Sequence, residues 1–543
     1  MLVLAASLER AVTHAAELAL GVGVVLAIAW GVFQQRIGIF RWPLLVLALG
    51  ALGIGTGLGA WAWHEKRPRT VRGTSTKEFV NTLRPKPKPK TGPRYLEQWP
   101  TYGYDVERTH LAPNWTRLRP PYHGLWQLQA HGDIEFPPSV AYGKVYVAQQ
   151  KGRFFAIDAR TGKIVWTRHF DHCAAASPTI RDGIVYQAFM HQLPCRKHQA
   201  RAAGFVIAWD ARTGHKLWRV GAGSVESSPL LVGNRLYFGS WDHRLYAYDL
   251  RGRKRPRLRW TFTADDQIVP APAYTNGTIF IATSSGSVYG VDERTGRERW
   301  HATSFSRFGR REYFYATPTV AYGRVFIGNA DGTVYAFGAS TGHLLWARQV
   351  GTYVYSAPAV WRKTVFVGTW DGYFVALDAG TGDIRWRYSA PASITGAPTV
   401  LAGLVYFATC GRCGVGGLRR VKVGPRGTFA LDARNGKLAW RFHDGKYSPV
   451  VADGWRIYIA GRNKVYALIP QVRWLRIQRA KALEACARLR RAGARARCRS
   501  KAKRRTSSGT PGSGKAARTS TPRTHKPPTR ASQSASGSKA AKQ

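Results

Sequence analysis

A short pattern recurs down most of this chain and constrains its fold more than any single residue does. Its clear copies are FAIDARTGKIVW at 155–166, IAWDARTGHKLW at 207–218, YGVDERTGRERW at 289–300, YAFGASTGHLLW at 335–346, VALDAGTGDIRW at 375–386 and FALDARNGKLAW at 429–440. A degenerate copy, YAYDLRGRKRPRLRW, lies at 246–260. Regular repetition of this kind is typical of a propeller or a solenoid, and it makes most of the conspicuous residues architectural.

Each copy encodes two strands and the turn between them. Alternating apolar residues such as Phe155 and Ile157 indicate a strand with one buried face. The Asp and the Thr-Gly or Asn-Gly pair that follow are typical of a tight turn, in which Asp caps backbone N–H groups and Gly takes a positive φ. The second strand ends in Trp, whose rigid indole is suited to docking against the neighbouring repeat.

A second hairpin precedes each copy and raises each repeat to four strands. It begins with a small residue and Pro, as in SPTI (177–180) and TPTV (317–320), and Asp331-Gly332 is a strong hairpin signal. Four strands are the content of one propeller blade.

The two ends of the repeat region predict how the ring closes. GLWQLQA (124–130) is an outer strand without a blade, and SPVVADGWRIYIAGRNKVYALIP (448–470) supplies three strands without an outer one. We therefore predict an all-β, eight-bladed β-propeller over residues 99–470, closed by pairing of 124–130 with 456–468, which removes exposed sheet edges. The predicted structural docking residues are Trp126, Trp166, Trp218, Trp260, Trp300, Trp346, Trp386 and Trp440.

The repeat resembles that of pyrroloquinoline-quinone-type (PQQ-like) β-propellers through the pattern A-x-D-x-x-T-G-x-x-x-W. WPTYGYDVERTHLAP at 99–113 is similar to the lead-in that often precedes such propellers. The resemblance covers roughly residues 99–470 and implies the fold. It does not select a function, because this architecture serves quinoprotein dehydrogenases, the lipoprotein scaffold of outer-membrane barrel assembly and extracytoplasmic sensor domains. Among these, the chain most resembles the non-enzymatic scaffold.

Residues 1–63 predict a membrane anchor. PLLVLALGALGIGTGLGAWAW (43–63) is long enough to cross a bilayer, and 15–33 is a second candidate of marginal length. An uncleaved anchor is favoured over a signal peptide, because the apolar run is too long for a typical signal core.

Charges around the second segment leave its orientation open. Arg36 and Arg41 favour a cytoplasmic side before it, whereas four basic residues within 66–72 would keep the propeller in the cytosol by the positive-inside rule. Large domains can translocate regardless of charge, and the family resemblance implies an extracytoplasmic location. We therefore expect a cell-membrane protein with its propeller outside the cytoplasm.

The remaining segments are basic. Residues 64–98 are predicted to be a linker that holds the propeller away from the membrane, because RPKPKPKTGPR (84–94) is rich in Pro and charge. Residues 471–543 predict a basic helix within 473–499 followed by a disordered tail. This segment holds 21 Lys and Arg against one acid, or +20 of the chain's net charge of +52. Such charge implies an anionic partner or a merely solvated tail; nucleic acid is the least favoured partner, because no binding motif for it accompanies the charge.

Blade geometry also interprets the cysteines. Cys173 lies in a loop between blades and Cys195 in a loop between second and third strands; these loops share one face, so a disulfide is predicted, with two unpaired thiols as the alternative. Cys410 and Cys413 form CGRC. A tight disulfide or a simple turn is favoured there, because a zinc site would need two more ligands and a heme attachment would need His at the next position.

The longest loops identify a candidate binding face. The segments 190–204, 304–315 and 410–426 gather on one face, opposite the short Thr-Gly turns. Loops on a rigid scaffold commonly carry binding surfaces, although these could simply cover the ends of the sheets. The candidate binding residues are Arg307, Arg310, Arg311, Tyr313, Tyr315, Tyr353 and Tyr355.

Two classes of function compete. The first is a membrane-anchored, non-catalytic, extracytoplasmic propeller that binds or scaffolds, with the membrane and a protein or cell-envelope polyanion as partners. The second is a quinone-dependent dehydrogenase, and a propeller that binds a ligand as a sensor is a third option. The family's enzymes carry a calcium site of Glu, Asn and Asp, a catalytic Asp and often adjacent cysteines. This sequence has no Cys-Cys. The acids near its channel mouth match no such motif: Asp171, Glu226, Asp265 and Asp266. No catalytic residue, metal or cofactor is therefore expected.

Overall fold

The repeats fold into four-stranded antiparallel sheets arranged as the blades of a propeller in the computed structural model. The structure describes residues 2–33, 41–80, 97–112, 115–195, 203–252, 255–411, 422–447 and 450–489. Strand β1 is Glu97–Trp99 and β2 is Tyr122–Gln129. Blade 1 contains β3 Ser139–Ala141, β4 Lys144–Ala148, β5 Arg153–Asp158 and β6 Ile164–His169. Blade 2 contains β7 Thr179–Arg181, β8 Ile184–Phe189, β9 Ala203–Asp210 and β10 Lys216–Gly223.

The next blades follow the same order from the inner strand to the outer strand. Blade 3 contains β11 Leu230–Val232, β12 Arg235–Gly239, β13 Arg244–Asp249 and β14 Arg257–Thr263. Blade 4 contains β15 Ala273–Thr275, β16 Thr278–Ala282, β17 Ser287–Asp292 and β18 Glu298–Thr303, and a small hairpin of β19 Ser306–Arg307 and β20 Arg310–Arg311 follows it. Blade 5 contains β21 Thr319–Ala321, β22 Arg324–Gly328, β23 Thr333–Gly338 and β24 Leu344–Gln349.

The last blades close the ring. Blade 6 contains β25 Ala359–Trp361, β26 Thr364–Gly368, β27 Tyr373–Asp378 and β28 Ile384–Ser389. Blade 7 contains β29 Thr399–Leu401, β30 Leu404–Thr409, β31 Gly427–Asp432 and β32 Leu438–Phe442. Blade 8 contains β33 Val451–Ala452, β34 Ile457–Ala460 and β35 Lys464–Pro470, and β2 pairs with β35 as its outer strand. The prediction of an eight-bladed propeller closed by its two ends is therefore confirmed, with 464–470 as the partner of the first outer strand.

The turn of each repeat is held by its Asp. In blade 1, the Asp158 carboxylate accepts hydrogen bonds from the Thr161 backbone N–H at 2.7 Å and from the Arg160 N–H at 3.1 Å. Gly162 follows with a φ of +74°, a conformation that side chains disfavour. Asp210 and Asp292 form the same turn in later blades. These turns explain why the repeat keeps Asp and Gly at fixed spacing.

The repeat tryptophans join one blade to the next. The indole of Trp300 lies against Gly342 in the turn of the following blade, and its Nε1–H donates to the Ala339 carbonyl at 3.1 Å. Any side chain at Gly342 would collide with this ring, since a Cβ there would lie 2.6 Å from Cε3. The same indole-to-carbonyl bond is made by Trp126, Trp166, Trp346 and Trp386. Trp260 also covers the next turn glycine, whereas the blades after Trp218 and Trp440 lack a Thr-Gly turn.

The lead-in segment fills the centre of the ring. Backbone carbonyls within residues 100–110 accept hydrogen bonds from the inner strands of five blades, through the N–H groups of Ile180, Tyr274, Val320, Val360 and Val400. Arg108 and His110 are fully buried. The free edges of the inner strands, which would otherwise face an open channel, are therefore paired with the chain itself.

Two apolar helices precede the propeller. α1 runs over Leu2–Phe33 and α2 over Arg41–Lys66, and within them Ala11–Val32 and Trp42–Lys66 are long and apolar enough to cross a membrane. Gly23 lies against Leu52 of the other helix, a close approach that a residue without a side chain permits. Both apolar segments predicted from the sequence are thus helical.

Parts of residues 64–98, the segment predicted to be a linker, contact the propeller. Val71 pairs with Ala347 on the open edge of β24, with both N–O distances at 2.9 Å, and the Val80 N–H bonds to the Tyr322 carbonyl at 3.0 Å. Strand β1 adds a fifth strand to blade 1. An extended segment has unpaired backbone groups, and the exposed edge of a sheet supplies partners for them. The Pro-rich segment 84–94 lies outside the described residues.

The C-terminal helix α3 spans Gln471–Leu489. It begins immediately after β35, where the Gln471 N–H donates to the Pro121 carbonyl at 2.8 Å. A second compact unit starts at Leu475, and the tail predicted to be disordered lies outside the described residues.

Candidate binding face

The loops between blades and the loops between second and third strands form one face of the ring, which we call the loop face. It carries the segments after Phe189, after Thr303 and after Thr409, where the longest insertions occur. Parts of the first and third, residues 196–202 and 412–421, lie outside the described residues. The candidate binding residues lie in the described parts of the loop face.

All four predicted tyrosines come together on the loop face. The Tyr355 ring lies 5.7 Å from that of Tyr313, 5.2 Å from Tyr315 and 6.0 Å from Tyr353, between centroids. The Tyr313 and Tyr355 hydroxyls are hydrogen-bonded to each other. Trp370, in the loop after β26, stacks edge-on against Tyr355 at 4.7 Å. We call these five rings the tyrosine cluster; the sequence did not indicate Trp370, because it departs from the repeated Trp position.

A buried carboxyl anchors the tyrosine cluster across the channel mouth. The Tyr315 hydroxyl donates to Glu226, which lies in the loop between blades 2 and 3. Burial raises the pKa of Glu226 to about 7, and the nearby charge of Glu135 adds to this effect. Burial likewise raises the pKa of Glu135 to about 7, and Gln150 donates to its carboxyl at 2.8 Å. The channel mouth therefore holds two carboxyl groups, Glu135 and Glu226, whose pKa values lie near neutral pH.

The predicted arginines belong to a small hairpin that precedes the first tyrosines of the cluster in the chain. Arg307, Arg310 and Arg311 belong to the β19–β20 hairpin, in which Ser306 pairs with Arg311 and Arg307 with Arg310. Arg307 donates to the Gln349 side chain at 3.1 Å, while Arg310 and Arg311 are exposed. The candidate binding residues thus form two groups, the tyrosine cluster and an arginine-bearing hairpin.

The cysteines hold one loop of this face. Cys173 and Cys195 form a disulfide with a Cα–Cα distance of 5.5 Å, packed among Met190, Trp241 and Val269. Cys410 is also disulfide-bonded. Cys413, which the sequence predicts as its partner, lies outside the described residues.

Two of the acids near the channel mouth, Asp265 and Asp266, accept hydrogen bonds from the protein's own polar groups. Asp265 accepts hydrogen bonds from the hydroxyls of Ser285 at 2.6 Å and Ser287 at 2.5 Å, and Asp266 accepts from the Gln267 N–H at 2.7 Å. Within the part of the chain that the structure describes, no three His, Cys, Asp or Glu side chains are grouped so that they could hold a metal ion.

Comparison with known proteins places this geometry in context. A family model described as Outer membrane protein assembly factor BamB matches residues 123–255, 198–353 and 330–496. The chain is 26% identical over 193 residues to the outer membrane protein assembly factor BamB of Shewanella oneidensis, covering 32% of this chain and 46% of that one. It is 36% identical over 190 residues to quinohemoprotein alcohol dehydrogenase ADH IIB of Pseudomonas putida, covering 30% of this chain and 25% of that one.

A solved structure shows the same fold. The crystal structure of BamB from Moraxella catarrhalis aligns with a TM-score of 0.51 at 15% identity, over 64% of this chain and 100% of that one. The chain spans less than half the length of the curated relatives that it matches. Proteins with different activities thus share this propeller, so the fold alone does not select among them.

Proposed function

The chain belongs to the family described as Outer membrane protein assembly factor BamB, and on that premise we propose that it is a membrane-anchored, non-catalytic β-propeller that binds or scaffolds partners outside the cytoplasm. The partners proposed are the membrane and a protein or cell-envelope polyanion. The loop face and the basic C-terminal tail would contact them.

The filled channel is the observation that carries this proposal. Residues 100–110 pair with five inner strands, and Tyr315 and Glu226 bridge the mouth on the loop face. Binding surfaces then lie outside the channel. On the loop face, the tyrosine cluster offers aromatic area of the kind that is enriched in protein interfaces. Tyr315, at 37% exposed, presents part of this area to solvent.

The non-catalytic part rests on how the acids at the channel mouth are engaged. Asp265 and Glu226 are hydrogen-bonded to hydroxyls of the protein itself and are not gathered as metal ligands.

Purified protein given quinone, calcium and alcohols or sugars should therefore leave an electron-accepting dye unreduced. Reduction of the dye would contradict this part of the proposal.

The extracytoplasmic location is supported by the disulfide between Cys173 and Cys195, which suits an oxidising compartment.

We predict that Thr76→Cys is labelled by a membrane-impermeant thiol reagent in intact cells. Thr76 is exposed and follows the second helix, so its side of the membrane is that of the propeller. Gln35→Cys, between the two helices, should react only after lysis, and the unmodified chain measures the background from its six cysteines. The reverse pattern would place the propeller in the cytosol.

We predict that the basic tail binds polyanions through charge alone. Full-length protein in neutral nanodiscs should be retained on a polyphosphate column at low salt and released near half-molar salt, because bound cationic side chains displace counterions. A chain ending at Trp474 lacks most of the tail's charge and should elute much earlier. Equal retention without the tail, or retention independent of salt, would contradict this role.

A further inference from the structure

The β19–β20 hairpin contacts the C-terminal end of α2. The ring of Phe308, at the hairpin tip, packs edge-on against Trp61 with centroids 5.4 Å apart. The Phe308 N–H donates to the Glu65 carboxylate at 2.9 Å, and Arg69 donates to the Ser306 carbonyl at 2.7 Å. The hairpin is therefore fixed to the end of a helix that is long and apolar enough to span a membrane.

The chain that follows α2 keeps the hairpin there. Val71 extends the edge of β24, and the Gly73 N–H donates to the Thr381 carbonyl at 3.0 Å. Arg72 pairs with Asp383 at 2.8 Å. Because this segment is docked within a few residues of Lys66, it gives the propeller little freedom to move away from the end of the helix.

The position of Trp61 sets the depth of the hairpin. Trp61 and Trp63 lie five and three residues before the end of α2 and are 43% and 60% exposed. Tryptophans at the ends of membrane helices sit at the level of the lipid headgroups. A ring packed on Trp61 must then lie at nearly the same level, so Phe308 reaches the membrane interface.

The surroundings of Phe308 are positively charged. Arg310 and Arg311 are exposed on the hairpin, and Arg67 stacks over the ring of Trp63 at 3.3 Å. The nearby acid Glu65 is already engaged by Phe308 and Arg69. Exposed arginines at headgroup level suit phosphate, which their planar guanidinium groups can bind through two hydrogen bonds.

We propose that this hairpin is a second membrane contact, in which Phe308 enters the interface while Arg310 and Arg311 bind the phosphates of anionic phospholipids. This inference rests on the proposed membrane anchor and adds an orientation to it. The loop face at blades 4 and 5 would then lie next to the bilayer, and a partner of the tyrosine cluster would be met at the membrane surface.

Hydrogen exchange of the full-length protein in nanodiscs tests the hairpin. We expect the amides of residues 306–311 to exchange at least about fivefold more slowly in discs containing phosphatidylglycerol than in discs of phosphatidylcholine alone, the factor that corresponds to one basic residue beside an anionic surface. The paired variant Arg310→Ser/Arg311→Ser should lose this difference. Phe308→Ala should speed exchange in both kinds of disc.

Arg294→Ser/Arg297→Ser is the matched control. It removes two exposed arginines from the opposite face of the same blade and should leave the lipid dependence unchanged. Equal exchange of the hairpin in both kinds of disc would overturn the lipid contact while leaving the anchor intact. Failure of the protein to enter discs at all would overturn the anchor and the hairpin contact together.

Discussion

Trp300→Ala is expected to lower the free energy of unfolding by about 3–5 kcal/mol, the usual cost of removing a buried aromatic side chain. The Trp300 indole is 7% exposed, covers Gly342 of the next blade and donates to the Ala339 carbonyl. Its loss would open a cavity between blades 4 and 5 and leave that carbonyl without this donor. Trp386→Ala should cost less, because its indole is only partly buried and its hydrogen bond is longer, at 3.4 Å.

Thermal and denaturant unfolding of the purified protein measure this effect. Trp455→Ala is the matched control, since Trp455 is 57% exposed and lies outside the repeated position. The control should change the free energy of unfolding by no more than about 1 kcal/mol, the value of an exposed cation–π contact such as that of Arg473 over the Trp455 ring. An unchanged melting temperature for Trp300→Ala would show that the indole does not hold the blades together.

Arg108→Met is expected to destabilise the centre of the ring by about 3–5 kcal/mol, because it leaves several buried acceptors without a donor. The guanidinium donates to the Pro272 carbonyl at 2.9 Å and to the Pro229 carbonyl at 3.2 Å, which belong to two different inter-blade loops. It also donates to Thr101 and to the Tyr102 carbonyl. Burial lowers the pKa of Arg108 only to about 10, so the group stays charged at neutral pH.

Limited proteolysis distinguishes the loss of this segment from general unfolding. In Arg108→Met, cleavage within 99–112 should become faster at temperatures where the blades are still folded. Arg117→Met is a suitable control, because Arg117 is exposed and close in the chain. Equal protection of the segment in both variants would contradict the role of Arg108 as its anchor.

The repeat alone determined the blades and the closure of the ring. A contact such as that between Trp300 and Ala339 joins residues 39 apart, and comparable contacts of Trp126 and Trp346 each join residues 33 apart. Contacts repeated from one blade to the next, here over 33 to 47 residues, impose a pattern on the sequence. In a closed ring, the unpaired strand at the start of the repeat region can pair only with the last blade, as β2 does with β35.

Only the tertiary structure decided what fills and surrounds the ring. Arg108 meets Pro272 across 164 residues, and Arg69 meets Ser306 across 237. Each of these contacts is made once, so it leaves no periodic signal in the sequence, and composition alone predicted only a linker after α2. Only part of the tyrosine cluster could be predicted from the sequence. Its tyrosines lie in long loops that the sequence indicates. The contact of Trp370 and the hydrogen bond from Tyr315 to Glu226 depend on how loops of different blades meet at the channel mouth.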